Sequence, residues 1–161
     1  MITEARDYLT GLIRSIMGTE TLVYLTEKEL AACAESHVAG VLISAESLTA
    51  SGKRVAVQEG RARRKFERSV ALSVVLGEYT FAPLEEYYVE LLAAIKPVIA
   101  DAGGFGIRLE PGEVQWSEKS DELLRANVSV ILTVNCTGGI YLPVETAPVS
   151  DYTVNAQREN G

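Results

Sequence analysis

Asn127-Val128-Ser129-Val130-Ile131-Leu132-Thr133-Val134-Asn135-Cys136 sets Val128, Val130, Leu132 and Val134 at every second position. A period of two places all four on one face of an extended chain, the mark of a strand with one buried side. A second such run occupies residues 63–77. There Val70, Leu72, Val74 and Leu76 alternate on one face, with Phe66 on the same parity. Thr137-Gly138-Gly139 is expected to end the first run.

Between the two runs the period changes to that of a helix. Leu84, Tyr87, Tyr88, Leu91, Leu92, Ile95, Val98 and Ile99 form a broad apolar stripe over residues 83–102. Pro83 suits the first turn, and Glu85, Glu86 and Glu90 favour the N-terminal end. Pro97 is expected to kink the last turn, and Gly103-Gly104 to stop it. Residues 106–117 follow as a strand, with Pro111-Gly112 as a turn or bulge and a polar break over 117–121.

On the N-terminal side, Ile2, Ala5, Leu9, Leu12, Ile13 and Ile16 recur at helical spacing and Gly18 stands where a C-cap belongs. Residues 21–25 read as a short strand. Thr26 and Glu29 make a T-x-x-E capping box that opens a short helix to about Ser36. Residues 38–43 read as a buried strand, 44–52 as a small-residue loop and 55–58 as another short strand. After Pro143 the apolar periodicity is lost. The expected organisation is one domain over 1–142 and a flexible or partner-ordered tail over 143–161. Strand runs on both sides of one central helix predict an α+β fold, a mostly antiparallel sheet with the helices packed on one face as a sandwich.

The 161 residues suffice for one core, and 47% hydrophobic with 23% charged residues is a globular balance. With 22 acidic against 15 basic side chains the net charge is −7, which disfavours non-specific binding to phosphate backbones or anionic lipid. No run approaches the roughly 20 apolar residues of a bilayer span. The acid-bearing Met1–Asp7 segment does not read as a signal peptide, so a cytoplasmic protein is expected.

Catalytic and ligand motifs are scarce. His37 is the one histidine, four residues after Cys33. A Cys–His pair at that spacing can be a dyad or half a metal site, but zinc needs three or four ligands. A solvent-side histidine near a helix C-terminus is the favoured reading. Cys33 and Cys136 have no metal-ligand spacing and are expected to be buried, reduced thiols. Gly103-Gly104-Phe105-Gly106 follows a helix and leads into a strand, the reverse of a phosphate loop, and reads as a C-cap and turn. The acidic pairs Glu85/Glu86 and Asp121/Glu122 point in diverging directions and read as solvated. No catalytic residue, metal or cofactor is assigned.

Against the acidic background stand Arg61, Arg63, Arg64, Lys65 and Arg68. On a regular strand Arg61, Arg63 and Lys65 share one face, and Arg64 and Arg68 the other. Two readings stand level: a charged junction that prevents edge-to-edge pairing, and a salt-bridged protein interface. Nucleic acid is disfavoured because no aromatic residues interleave. Candidate interface residues are these five and Tyr152, together with the loop 44–52 and the tail after Pro143.

The element order, the basic lead-in Arg63-Arg64-Lys65-Phe66-Glu67-Arg68-Ser69-Val70-Ala71-Leu72-Ser73-Val74, the helix Glu85-Glu86-Tyr87-Tyr88-Val89-Glu90-Leu91-Leu92 and the final strand resemble phage tail terminator and tail-completion proteins. These are minor tail proteins of the lambda-like or Mu-like kind. The resemblance spans residues 1–141 and rests on size and element order, and the family offers no motif residues to carry over. It implies a homohexameric ring in the virion tail, assembled in the host cytoplasm. Such a ring caps the tail tube protein, meets the head–tail connector protein and passes DNA through its lumen without specific binding. A head–tail connector or stopper is the nearest alternative. A small cytosolic ligand-binding module, using Tyr87, Tyr88 and the Cys33/His37 corner, is the alternative from another class.

Overall fold

A computed structural model describes residues 1–52, 54–57, 60–120 and 124–143. In chain order they form α1 (Ile2–Met17), β1 (Leu22–Tyr24), α2 (Glu27–Ala32), β2 (Val38–Ala50), β3 (Arg54–Val57), β4 (Gly60–Glu78), α3 (Phe81–Ala94), β5 (Val98–Ala100), β6 (Gly106–Ser117) and β7 (Val128–Pro143). All the strands lie in one sheet of order β1-β2-β4-β7-β6-β5, with β3 continuing the line of β2 along β4. Only β1 and β2 pair in parallel. The chain is α+β with a mostly antiparallel sheet, as the two alternating runs predict.

Those runs are the adjacent central strands. Val70, Leu72, Val74 and Leu76 of β4 lie opposite Cys136, Val134, Leu132 and Val130 of β7. The paired face is covered by Ala5, Leu9 and Ile13 of α1 and Leu84 and Leu91 of α3, all essentially inaccessible to solvent. Each fully buried Leu or Ile there stabilises the fold by about 1.5–3 kcal/mol. Gly18 caps α1 with φ 117°, its N–H donating to the Arg14 carbonyl.

The expectation of helices on one face holds for α1 and α3 but not for α2. Leu30 of α2 joins Cys33 at its own C-cap, Val38, Leu42 and Val75 from the opposite parity of β2 and β4, and Leu124 and Ala126 just before β7. The approach is close enough to require glycine. A Cβ on Gly77 would stand 2.7 Å from Ala126 Cβ, and one on Gly40 3.1 Å from Leu30 Cδ2. The Thr26 cap forms as expected, its Oγ1 accepting from Glu29 N at 3.2 Å, but α2 stops at Ala32.

Three other boundaries differ from the sequence expectation. α3 ends at Ala94, and residues 98–100 form β5 against β6 instead of a kinked last turn. Proline disfavours helical geometry at the residue before it, so Pro97 ends the helix. Glycines 103 and 104 therefore belong to the β5–β6 turn, and Gly106 opens β6. Asp101 Oδ1 accepts there from Gly103 N and Phe105 N at 2.8 and 2.9 Å, and Gly104 takes φ 84°. The Pro111–Gly112 irregularity, by contrast, is a bulge between Pro111 and Val114, as expected.

The largest differences lie at the far ends of the central strands. Residues 44–50 are strand, not loop, because β2 stays paired with β4 to Ala50 opposite Phe66. Likewise β7 runs through Gly138 and Gly139 to Pro143. These glycines make room instead of ending the strand. A Cβ on Gly138 would meet Met1 Sδ at 2.6 Å, and one on Gly139 would meet Arg64 Nε at 2.9 Å. The tail from 144 onward lies outside the described residues.

Candidate functional site

The β4 strand, of 19 residues, is roughly 60 Å long at about 3.3 Å per residue, longer than the helices cover. Beyond Met1 the sheet continues as an arm of β2 and β3, the first half of β4 and the end of β7. From Ser44 to Ala50 every residue of β2 is exposed, so this margin of the arm is uncovered on both sides. The outer edge of β2 beyond Gly40 has no strand beside it among the described residues, and the same holds for β7 beyond Gly138. Free edges of this length invite pairing unless blunted. Pro111 and its bulge blunt the outer edge of β6, whereas β2 from Val41 to Ala50 carries no proline or lysine.

The two sides of the arm differ. Arg68 shares the parity of Val70 and Leu72 and so points to the α1/α3 side, as does Leu48 opposite it. Phe66 and Ile140 form the next pair on that side. Leu142 follows at the same parity, and Leu48, Ile140 and Leu142 are all exposed. The other side carries Ser47, Thr49, Glu67 and Thr137.

The basic run lies along this arm. Arg64 pairs with Tyr141 and Phe66 with Ile140, which leaves Lys65 as an extra, bulged residue. The bulge breaks the regular alternation, so Arg64 and Arg68 point to opposite sides instead of sharing one. Arg68 is committed to Glu46, donating from Nε at 2.8 Å and Nη2 at 3.1 Å in a two-point contact. This hydrogen bond holds the Glu46 carboxyl below its ordinary range. Arg64 donates from Nη2 to Tyr141 Oη at 3.1 Å and from Nη1 to Glu67 Oε2 at 3.3 Å. Its guanidinium lies over the Tyr141 ring, which stacks in turn on Phe105 with centroids 3.7 Å apart. Arg63 and Lys65 are exposed. The side chain of Arg61 and the whole of Tyr152 lie outside the described residues.

A cleft of about 230 Å³ opens beside the free end of β7, between Arg64, Glu67, Arg108 and Thr137. It offers two guanidinium groups, one carboxylate and the Thr137 hydroxyl. Among the described residues no three His, Cys, Asp or Glu side chains gather as metal ligands, and no helix is long and apolar enough to cross a membrane.

The Cys33/His37 corner is not a dyad. Cys33 is buried beside Tyr24, whose phenol it holds above its ordinary range, and Cys33 Sγ accepts from Glu35 N at 3.4 Å. His37 turns to the other side of the sheet. Its Nδ1 stands 2.5 Å from Glu78 Oε2, its Nε2 3.1 Å from both Met17 O and Thr21 Oγ1, and its ring meets Tyr87 edge-on. It is therefore a half-buried strut between α1 and the end of β4, not a solvent-side residue. Sequence spacing gives no sign of Glu78, 41 positions away. Cys136 is buried in the main core, and burial pushes its thiol up to about 11.

At the opposite end of β4 lies an exposed aromatic group. Trp116 of β6 packs against Phe81 and Tyr88 of α3 at centroid distances of 5.2 Å. Phe81, Trp116 and Val89 all remain exposed, and Glu85 and Glu86 lie one helical turn before Val89. No known protein-family profile matches the chain, and no curated protein sequence does.

Proposed function

We propose that the chain is a structural subunit that assembles with its own copies into a ring, acting as a phage tail terminator that caps the tail tube and joins it to the head connector. The observation that carries this reading is the three-stranded arm, whose β2 margin is exposed at every residue from Ser44 to Ala50 and whose α1/α3 side carries the exposed Leu48, Ile140 and Leu142. A lone domain has no use for an exposed strand margin with an unblunted edge, whereas an assembly covers it. The element order and the basic lead-in to β4 add the resemblance described above. In this reading the helices and sheet form a terminator-like sandwich, and the net charge of −7 suits a channel through which DNA passes without being held.

Light scattering of the purified protein, at low and moderate salt and with and without tail tube protein, tests the proposal. A ring-sized species near six subunits, formed alone or on the tube protein, is expected. A monodisperse monomer that ignores tube protein overturns it.

A further inference from the structure

We infer that neighbouring copies join head to tail, the apolar side of one arm lying on the aromatic end of the next copy's α3. This rests on the assembly reading above and names the surfaces it would use. Two unlike apolar patches stand at opposite ends of β4. One is the arm stripe of Leu48, Phe66, Ile140 and Leu142; the other is Phe81 and Trp116 at the far end, with Val89 exposed about two turns further along α3. The length of β4 between them prevents either from covering the other within one chain.

Charge selects the pairing. Arg63 lies on the same side of the arm as the apolar stripe, opposite Leu142, and Lys65 stands on the neighbouring bulge. Neither takes part in an ion pair among the described residues, whereas Arg64 and Arg68 are held by Glu67 and Glu46. Val89, 56% exposed, is flanked by Glu85 and Glu86, which are exposed as well. A basic apolar stripe thus meets an acidic apolar one, and both belong to this chain, which makes a second copy the fitting occupant. Because the two patches differ, the contact is heterologous. Repeated from copy to copy it propagates, and it closes into a ring when the rotation per copy allows.

Engineered cysteines test this directly, since Cys33 and Cys136 are both buried. Leu48→Cys protein mixed with Val89→Cys protein should give a disulfide-linked dimer on mild oxidation. Either variant alone should give none, and the doubly substituted chain should give a ladder of linked species. Separately, Arg63→Glu with Lys65→Glu should shift the assembled mass towards monomer, and adding Glu85→Lys with Glu86→Lys in the same chain should restore it. All these positions are exposed, and circular dichroism verifies that each variant folds. If the wild-type protein assembles but the mixed cysteine variants do not cross-link beyond either alone, this interface is overturned while the assembly reading stands. If the wild-type protein stays monomeric with and without tube protein, both are overturned.

Discussion

His37 Nδ1 lies 2.5 Å from Glu78 Oε2, and this contact ties the start of β2 to the end of β4. The other ring nitrogen lies 3.1 Å from the Met17 carbonyl, which can only accept, so Nε2 donates there. The Glu78 side chain is 8% exposed and the His37 side chain 32%. Removing either partner strands a polar group in a mostly dry site.

Glu78→Gln and His37→Ala should therefore each lower stability by about 1.5–3 kcal/mol in urea unfolding, the range of hydrogen bonds to charged groups. The double variant should lose clearly less than the sum, because the two changes remove one shared contact. Strict additivity would show that the pair is not coupled.

Gly77→Ala should be among the most damaging small substitutions in the sheet. Its Cβ would enter within 2.7 Å of Ala126 Cβ and 3.0 Å of Leu124 Cδ2 and Ser36 O. Overpacking of this kind costs about 1–3 kcal/mol. The control is Gly11→Ala on α1, where nothing lies within 4 Å of the added carbon. That change should stabilise slightly, since alanine is favoured over glycine in helices by about 1 kcal/mol. Equal melting temperatures for the two variants would refute the packing argument.

Cys136 should resist thiol reagents in the native protein. Its thiol is raised from an ordinary 9.0 to about 11 by burial, so it stays protonated in the fold where the unfolded chain already ionises. Between pH 9 and about 11 the unfolded state binds fewer protons than the native state, so Cys136 makes stability fall as pH rises. Labelling at pH 8 should follow unfolding and accelerate sharply in denaturant. Rapid labelling of Cys136 without denaturant would contradict its burial.

The Glu46 carboxyl should titrate below an ordinary glutamate in carbon-detected NMR, and Arg68→Ala should bring it back up. A folded value depressed in this way contributes stability above the unfolded carboxylate range, and that stability is lost as pH falls through the folded value. An unchanged titration in Arg68→Ala would show that the two-point contact does not persist in solution.

Much of the architecture is legible along the chain because local periodicity and burial agree. Val70 to Leu76 and Val128 to Val134 alternate since one face of each strand meets α1 and α3. The helical stripe of Ala5, Leu9 and Ile13 and the Thr26 cap carry the same kind of signal. The basic run also stands out by composition, and its place on an exposed strand follows the sequence reading.

What only tertiary structure decided involves residues whose conformation depends on distant neighbours. Residues 44–50 are all exposed and Gly138-Gly139 carry no side chain, so they alternate nothing; they are strand because β4 lies alongside and takes their backbone hydrogen bonds. The bulge at Lys65 then decides which side each arginine faces, an offset that no count of alternate positions foresees. His37 finds Glu78 and α2 finds the second face of the sheet by the same route. Periodicity reports what a residue buries, and the sheet's long-range pairing decides what lies beside it.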